Sequence, residues 1–280
     1  MKRNLLLWVL SFILTTAAAV YQRTTGPTYP IKGSAQLEAT AIDYKFLRSH
    51  STSSNYQLAL FAADTNIAGT LYWRRINSSD DWFAEKMVRV NDTLTAELPK
   101  QKAAGKLNYY IQLQSVNDEV FLPASKSVVI RFKGDVPTVV LIFHIIGMFG
   151  AMLLSTRTGL EYFNKEPKLN KLTYWTLGFL FVGGLILGPI VQKYAFDAYW
   201  TGFPFGHDLT DNKTAVAFLG WAAACYMYRR SKKPAKWALG AAVLLFIIYL
   251  IPHSVLGSEL DYNKIENQKN NSSKIINEKL

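Results

Sequence analysis

Apolar residues are spread unevenly along this chain. They run almost unbroken through residues 5–20 and return after residue 135 in four segments, at 136–154, 172–191, 214–228 and 237–251. A helix rising 1.5 Å per residue needs runs of about this length to cross a hydrocarbon core roughly 30 Å thick. Residues 214–228 are short for a crossing, with Asn212, Lys213 and Arg229 placed to snorkel at the ends. Residues 22–135 instead alternate polar with β-branched and aromatic positions. Strands are predicted at 36–41, 56–61, 69–74, 82–90, 94–98, 107–113 and 128–132, separated by Ser, Asn, Asp and Gly clusters. That rhythm predicts a β-sandwich. The expected fold class is a membrane α-helical bundle plus an all-β sandwich domain.

Lys2 and Arg3 precede the first run and Ala17-Ala18-Ala19 closes it, which suits a cleaved signal peptide and equally an uncleaved anchor. Residues 22–33 hold two prolines and two glycines and read as a linker. The expected domains are a signal anchor or signal peptide at 1–21 and an exported β-sandwich at 22–135. A four-helix transmembrane bundle at 136–257 and a disordered exported tail at 258–280 follow; the tail has too little apolar surface to fold alone.

The formal charge of +11 raises nucleic acid as a partner until the cations are located. Arg157, Lys165, Lys168 and Lys171 fill one short loop, and Arg229, Arg230, Lys232, Lys233 and Lys236 fill another. With all four late segments crossing, both loops face the cytoplasm, so the charge sets orientation and does not point to nucleic acid. The reading is a multi-pass protein of a bacterial inner membrane, its β domain and tail periplasmic or extracellular. Its partners are membrane lipid and an envelope protein. The single cysteine, Cys225, lies in an apolar run, so the β domain holds together without a disulfide.

Two resemblances follow from quoted segments. Gly69-Thr-Leu-Tyr-Trp-Arg-Arg, then Trp82, then Leu94-Thr-Ala-Glu-Leu-Pro, then Ala104-Gly-Lys-Leu-Asn-Tyr-Tyr-Ile resembles the fibronectin type III and immunoglobulin-like modules of bacterial surface proteins. That likeness implies a fold and no catalysis. Tyr21-Gln-Arg-Thr-Thr-Gly-Pro-Thr-Tyr-Pro, Val129-Ile-Arg-Phe-Lys-Gly-Asp-Val-Pro and Phe203-Pro-Phe-Gly-His-Asp-Leu-Thr-Asp-Asn-Lys-Thr resemble a family of bacterial multi-pass membrane proteins with such an exported domain. The resemblance brings no activity, ligand or partner.

Candidate chemistry gathers at one end of the expected bundle. His144 lies roughly 12 Å into its span, His207 sits in the outer loop, and His253 follows Pro252 at the end of the last span. Intramembrane ionisable groups need partners, and neutral imidazoles ligate haem iron or transition metals. His144 and His253 are therefore the candidate haem or metal ligands. No CxxCH motif, HxxxH motif or second intramembrane acid completes a recognisable metal site, and a histidine bonded to a neighbouring helix is the plainer reading. In the outer loop, His207, Asp208, Asp211, Trp200 and Phe205 are the candidate ligand-binding residues, expected in one pocket with His144 and His253. The plainer reading there makes Asp211 the N-cap of the following helix. Gly184 and Gly188, with Gly147 and Gly150, offer small faces for close helix packing. A broken transporter helix at Pro189 has no inverted repeat to support it.

Three functions are thereby weighed. A non-enzymatic envelope interaction or assembly component comes first, because no complete catalytic constellation exists. A haem- or metal-binding redox protein with a site at the outer leaflet is the alternative. A small-solute transporter comes third.

Overall fold

A computed structural model of the chain describes residues 2–124, 127–252, 257 and 259–268. The chain divides into two compact units, one of Met1–Pro27 with Val136–Ser258 and one of Thr28–Asp135 with Glu259–Leu280. Helices build the first and β-sheets the second.

In the helical unit, α1 (Lys2–Thr25) ends where Gly26-Pro27 removes a helical donor and fixes φ. Its buried residues Leu7, Ser11, Thr15 and Ala18 recur at helical spacing and form one stripe. The rest of the unit is α2 (Thr138–Leu160) with a 3-10 turn (Glu161–Phe163), α3 (Leu169–Leu180), a π turn (Phe181–Leu187), α4 (Gly188–Phe196), α5 (Leu209–Arg230) and α6 (Pro234–Leu250). Three helices are long and apolar enough to cross a membrane: Lys2–Thr25, Thr138–Phe163 and the continuous Leu169–Phe196. The helix expected to break at Pro189 in the transporter reading thus runs on through the π turn. α6 is apolar but shorter. Trp221 fills the centre, fully buried, and donates its indole N–H to Ser155 Oγ at 3.1 Å. Gln22 on α1 donates to Tyr249 O, and Arg157 on α2 donates to Asn4 Oδ1, so α1 is bonded into the unit near both of its ends.

The β unit holds β1 (Ile31–Leu37), β2 (Thr40–Phe46), β3 (Ser49–Ser51), β4 (Tyr56–Phe61), β5 (Ala68–Arg75), β6 (Phe83–Lys86), β7 (Val88–Val90), β8 (Thr93–Leu98), β9 (Lys106–Gln114), β10 (Glu119–Leu122) and β11 (Val128–Lys133). They form a hairpin β1-β2, a sheet β3-β11-β9-β5-β6 with β10 beside β9, and a sheet β4-β8-β7. Side chains from all three share one core, including Ile42, Phe46, Leu58, Leu71, Leu94 and Tyr109. β9 shows why: Leu107, Tyr109, Ile111 and Leu113 are buried at alternate positions while Asn108, Tyr110 and Gln112 are not.

Two strand expectations need correction. Residues 36–41 straddle the β1-β2 turn, where Glu38 takes φ 50, because the hydrophobic alternation continues across a hairpin. Residues 82–90 are two strands in different sheets. Met87 is the joint: it donates to Gly69 O at 2.8 Å, and its thioether fills the space a Cβ on Gly69 would occupy.

The tail expectation is corrected for residues 259–268, which fold onto the β unit, with residues 262–268 helical. Leu260 N and Tyr262 N donate to Ala104 O and Asn77 O, the ring of Tyr262 is buried, and its hydroxyl donates to Gln101 Oε1 at 2.8 Å. Arg75 lies over that ring, 4.8 Å from its centroid, and pairs with Asp80 and Glu266, while Lys106 pairs with Glu259. A tail poor in apolar residues is thus held by one buried aromatic and a ring of hydrogen-bonded charges.

Candidate functional site

A cavity of about 230 Å³ lies in the helical unit between α2, the π turn, α4 and the start of α5. The π turn builds its wall. Pro189 has no N–H to continue an α ladder, and Gly188 N–H instead reaches back five residues to Gly183 O. His144 Nδ1 lies 2.9 Å from the same carbonyl. A carbonyl can only accept, so Nδ1 carries a proton, and in the neutral ring Nε2 keeps its lone pair. The ring sits beside Gly188, where an added Cβ would lie 3.8 Å from His144 Cε1.

The loop from Asp197 to Asp208 closes over one end and is fastened to α5 by carboxylate and amide oxygens. Asp211 Oδ2 accepts from Thr201 N at 2.6 Å, Gly202 N at 3.0 Å, Gln192 Nε2 at 3.1 Å and Thr201 Oγ1 at 3.3 Å. Asn212 Oδ1 accepts from Phe203 N at 2.7 Å. The N-cap of α5 is Asp208, which accepts from Thr210 N at 2.8 Å. The expectation that Asp211 caps this helix is therefore corrected: three residues further in, it binds loop N–H groups instead.

His144, Asp208, Asp211 and Trp200 all line the cavity, as do Gly184 and Gly188. His207 and Phe205 are exposed and outside the lining, Phe205 at 82%. His253 lies outside the described residues. Donating one ring nitrogen to a carbonyl is how metal-ligating imidazoles are commonly oriented. Among the described residues, however, no group of three or more His, Cys, Asp and Glu could hold a metal ion.

Gly147 meets Gly183 backbone to backbone, where a Cβ on Gly147 would stand 2.7 Å from Gly183 Cα. Gly150 faces the ring of Phe179 and Gly184 faces Thr214. At Gly188 the nearest atom to an added Cβ is Gly183 O at 3.6 Å, so close packing there is corrected to a position on the cavity wall. Sequence reading missed Gln192. Its signal was helical spacing, since Gly184, Gly188 and Gln192 fall four apart on one face.

A second surface lies on the β unit. Tyr72 and Tyr110 are cross-strand partners on β5 and β9, stacked 4.9 Å apart with 9° between planes. Trp82 and Phe121 pack edge-on against Tyr110 at 5.0 and 6.0 Å, and Arg74 lies 4.7 Å over Trp82. Tyr72 donates its hydroxyl to Gln112 Oε1 at 3.0 Å. These side chains stand on the sheet face opposite the core. No family model matches the chain, and no curated protein matches it.

Proposed function

We propose that this chain is a multi-pass protein of a bacterial inner membrane that displays an immunoglobulin-like or fibronectin type III-like β-sandwich outside the cytoplasm, where it serves as a non-enzymatic envelope interaction component. The pairing β4-β8 in one sheet, and β11-β9-β5-β6 in the other, supports the sandwich class. The returning tail supports the topology. Residues 28–135 and 259–268 belong to one unit, so an even number of crossings separates them. With α2 and the Leu169–Phe196 helix crossing, α5 and α6 cross together or not at all. The cations at 229–236 favour both crossing, which puts them with those at 156–171 on the cytoplasmic side. The bonds that tie α1 to α2 and α6 support an uncleaved anchor.

The observation that carries the interaction role is the aromatic face of Tyr72, Trp82, Tyr110 and Phe121 with Arg74 above it. Rigid aromatics and arginine are the residue types that dominate binding energy at interfaces. A photoreactive amino acid at position 121 should give a discrete adduct in cells, lost when Trp82→Ala is added, and the same probe at exposed position 66 should not. Equal labelling from both positions, or none from 121, removes this reading. The haem or metal reading keeps one supporting observation, the bond from His144 to Gly183 O. A Soret band or stoichiometric metal in the purified protein would favour it over the interaction role.

A further inference from the structure

The loop between α4 and α5 carries the two most exposed large apolar side chains among the described residues, Phe205 at 82% and Phe203 at 78%. Tyr199 is exposed beside them, and no residue from Ala198 to Gly206 is charged. The backbone donors of this tip need no water. Asp211 Oδ2 accepts from the N–H groups of Thr201 and Gly202, and Asn212 Oδ1 accepts from that of Phe203. Pro204 has no N–H, and those of Phe205 and Gly206 both donate to Gly202 O at 2.9 Å. Trp200 Nε1 donates to Phe203 O at 3.1 Å, and Asp208 N to Thr201 O at 3.0 Å. Two glycines permit so tight a closure: a Cβ on Gly202 would stand 2.7 Å from Asp211 Cβ, and one on Gly206 would collide with Thr201 O.

A turn in water can leave its donors to the solvent, whereas a turn in surroundings that exclude water must pair each of them. Position along the chain names those surroundings. The loop leaves Phe196, the last residue of a 28-residue apolar helix about 42 Å long at 1.5 Å per residue, close to the roughly 40–45 Å of a bilayer with its headgroups. We propose that the Phe203-Pro204-Phe205 tip is a lipid-binding wedge, its two rings set at the boundary between headgroups and acyl chains in the leaflet where that helix ends. Aromatic rings are enriched at this depth, and apolar faces of interfacial elements bury themselves there by about 5–10 Å. A protein partner would also exclude water, but a loop that starts at the end of a spanning helix meets lipid first. The inference rests on the reading that the Leu169–Phe196 helix crosses a membrane, and it makes no use of the aromatic face of the β unit.

The test places 4-fluorophenylalanine at position 203 or 205 of the full-length protein in lipid nanodiscs and reads it by fluorine NMR. A nitroxide carried on the acyl chain near the headgroup should broaden both signals more than a water-soluble gadolinium chelate does. The same probe at Phe61, which is exposed on β4, should show the reverse. Asn212→Ala strips the acceptor from Phe203 N and should cut the nitroxide effect at 203 roughly twofold or more, because an unpaired N–H resists leaving water. Three results would overturn the proposal. Signals from 203 and 205 that follow the chelate as position 61 does place the rings in water, and signals that neither agent touches place them under protein. An unchanged nitroxide effect at 203 in Asn212→Ala would mean that the paired donors do not hold the wedge in lipid. Pelleting of the protein with membranes from alkaline carbonate tests the crossing by itself, so a protein that pellets while its rings stay in water overturns the wedge and not the crossing.

Discussion

Replacing Gly147 by alanine tests whether a backbone contact organises the helical unit. The added Cβ would stand 2.7 Å from Gly183 Cα and 3.3 Å from Gly183 N. Non-bonded carbons settle at about 3.5–4.0 Å, so α2 and the π turn must part by roughly 1 Å, because the opposing atoms are backbone and have no rotamer to change. Such overpacking costs about 1–3 kcal/mol. The same movement stretches the bond between His144 Nδ1 and Gly183 O from its 2.9 Å, which adds about 0.5–1.5 kcal/mol. The expected loss is about 1.5–4.5 kcal/mol in all. Gly188→Ala is the control: its nearest new contact is 3.6 Å, and it should lie within about 1 kcal/mol of the parent. Unfolding by titration from mild detergent into sodium dodecyl sulfate, followed by tryptophan fluorescence, reads both. A Gly147→Ala protein as stable as the parent, or a Gly188→Ala protein weaker than Gly147→Ala, would refute the reasoning.

The proposed topology predicts that, with Cys225 replaced by Ser, Ser79→Cys and Asn267→Cys label in intact cells with an impermeant reagent while Ser231→Cys does not; the reverse pattern inverts the assignment. Arg157 and Glu161 are a buried pair at 2% and 1% exposure, so Glu161→Ala should cost about 3–5 kcal/mol by stranding a guanidinium. Replacing both with Met and Leu should recover most of that in the same titration, and a double variant no better than the single one argues against it. Tyr262→Ala should release the tail, seen as lost hydrogen-exchange protection at Leu260 and Asn263 with the β9 amides unaffected; unchanged protection would mean that the ring is not what holds it. Acid should act on the same segment. The Arg75 guanidinium, by hydrogen bond and charge, holds the Asp80 carboxyl below its ordinary value. Burial works to raise Glu259, but Lys106 and Asn77 outweigh it and hold it low as well. Both contributions are complete above an ordinary carboxylate value of about 4 and vanish as pH falls through the depressed ones. Protection at Leu260 and Tyr262 should therefore be level from about pH 7 to 5 and fall below about pH 4; protection that persists at pH 3 would sink this account.

Local pattern carried much of the architecture. The apolar runs at 5–20 and 172–191, and all but the first two residues of 136–154, lie in helices long and apolar enough to cross a membrane, because length and hydropathy are properties of a segment by itself. The alternation in β4, β8 and β9 was equally legible, since a strand turns every second side chain to the core. Sequence also singled out His144, Asp208, Asp211 and Trp200 as chemistry, and all four line one cavity.

Tertiary structure decided what those groups can do. Whether Asp208 or Asp211 caps α5 depends on where the loop carries Thr201 and Gly202, and no spacing rule encodes that. The π turn sets Gly183 against Gly147 across helices, a contact invisible to a pattern read along one. Residues 259–268 looked too polar to fold because their only buried ring needs Arg75, Gln101 and Gly105 from far earlier in the chain. Sequence by itself determined which segments seek an apolar environment and which alternate, since both follow from neighbouring side chains. Only the tertiary structure determined which donors are already spent, because a hydrogen bond is a property of two groups that the chain must first bring together.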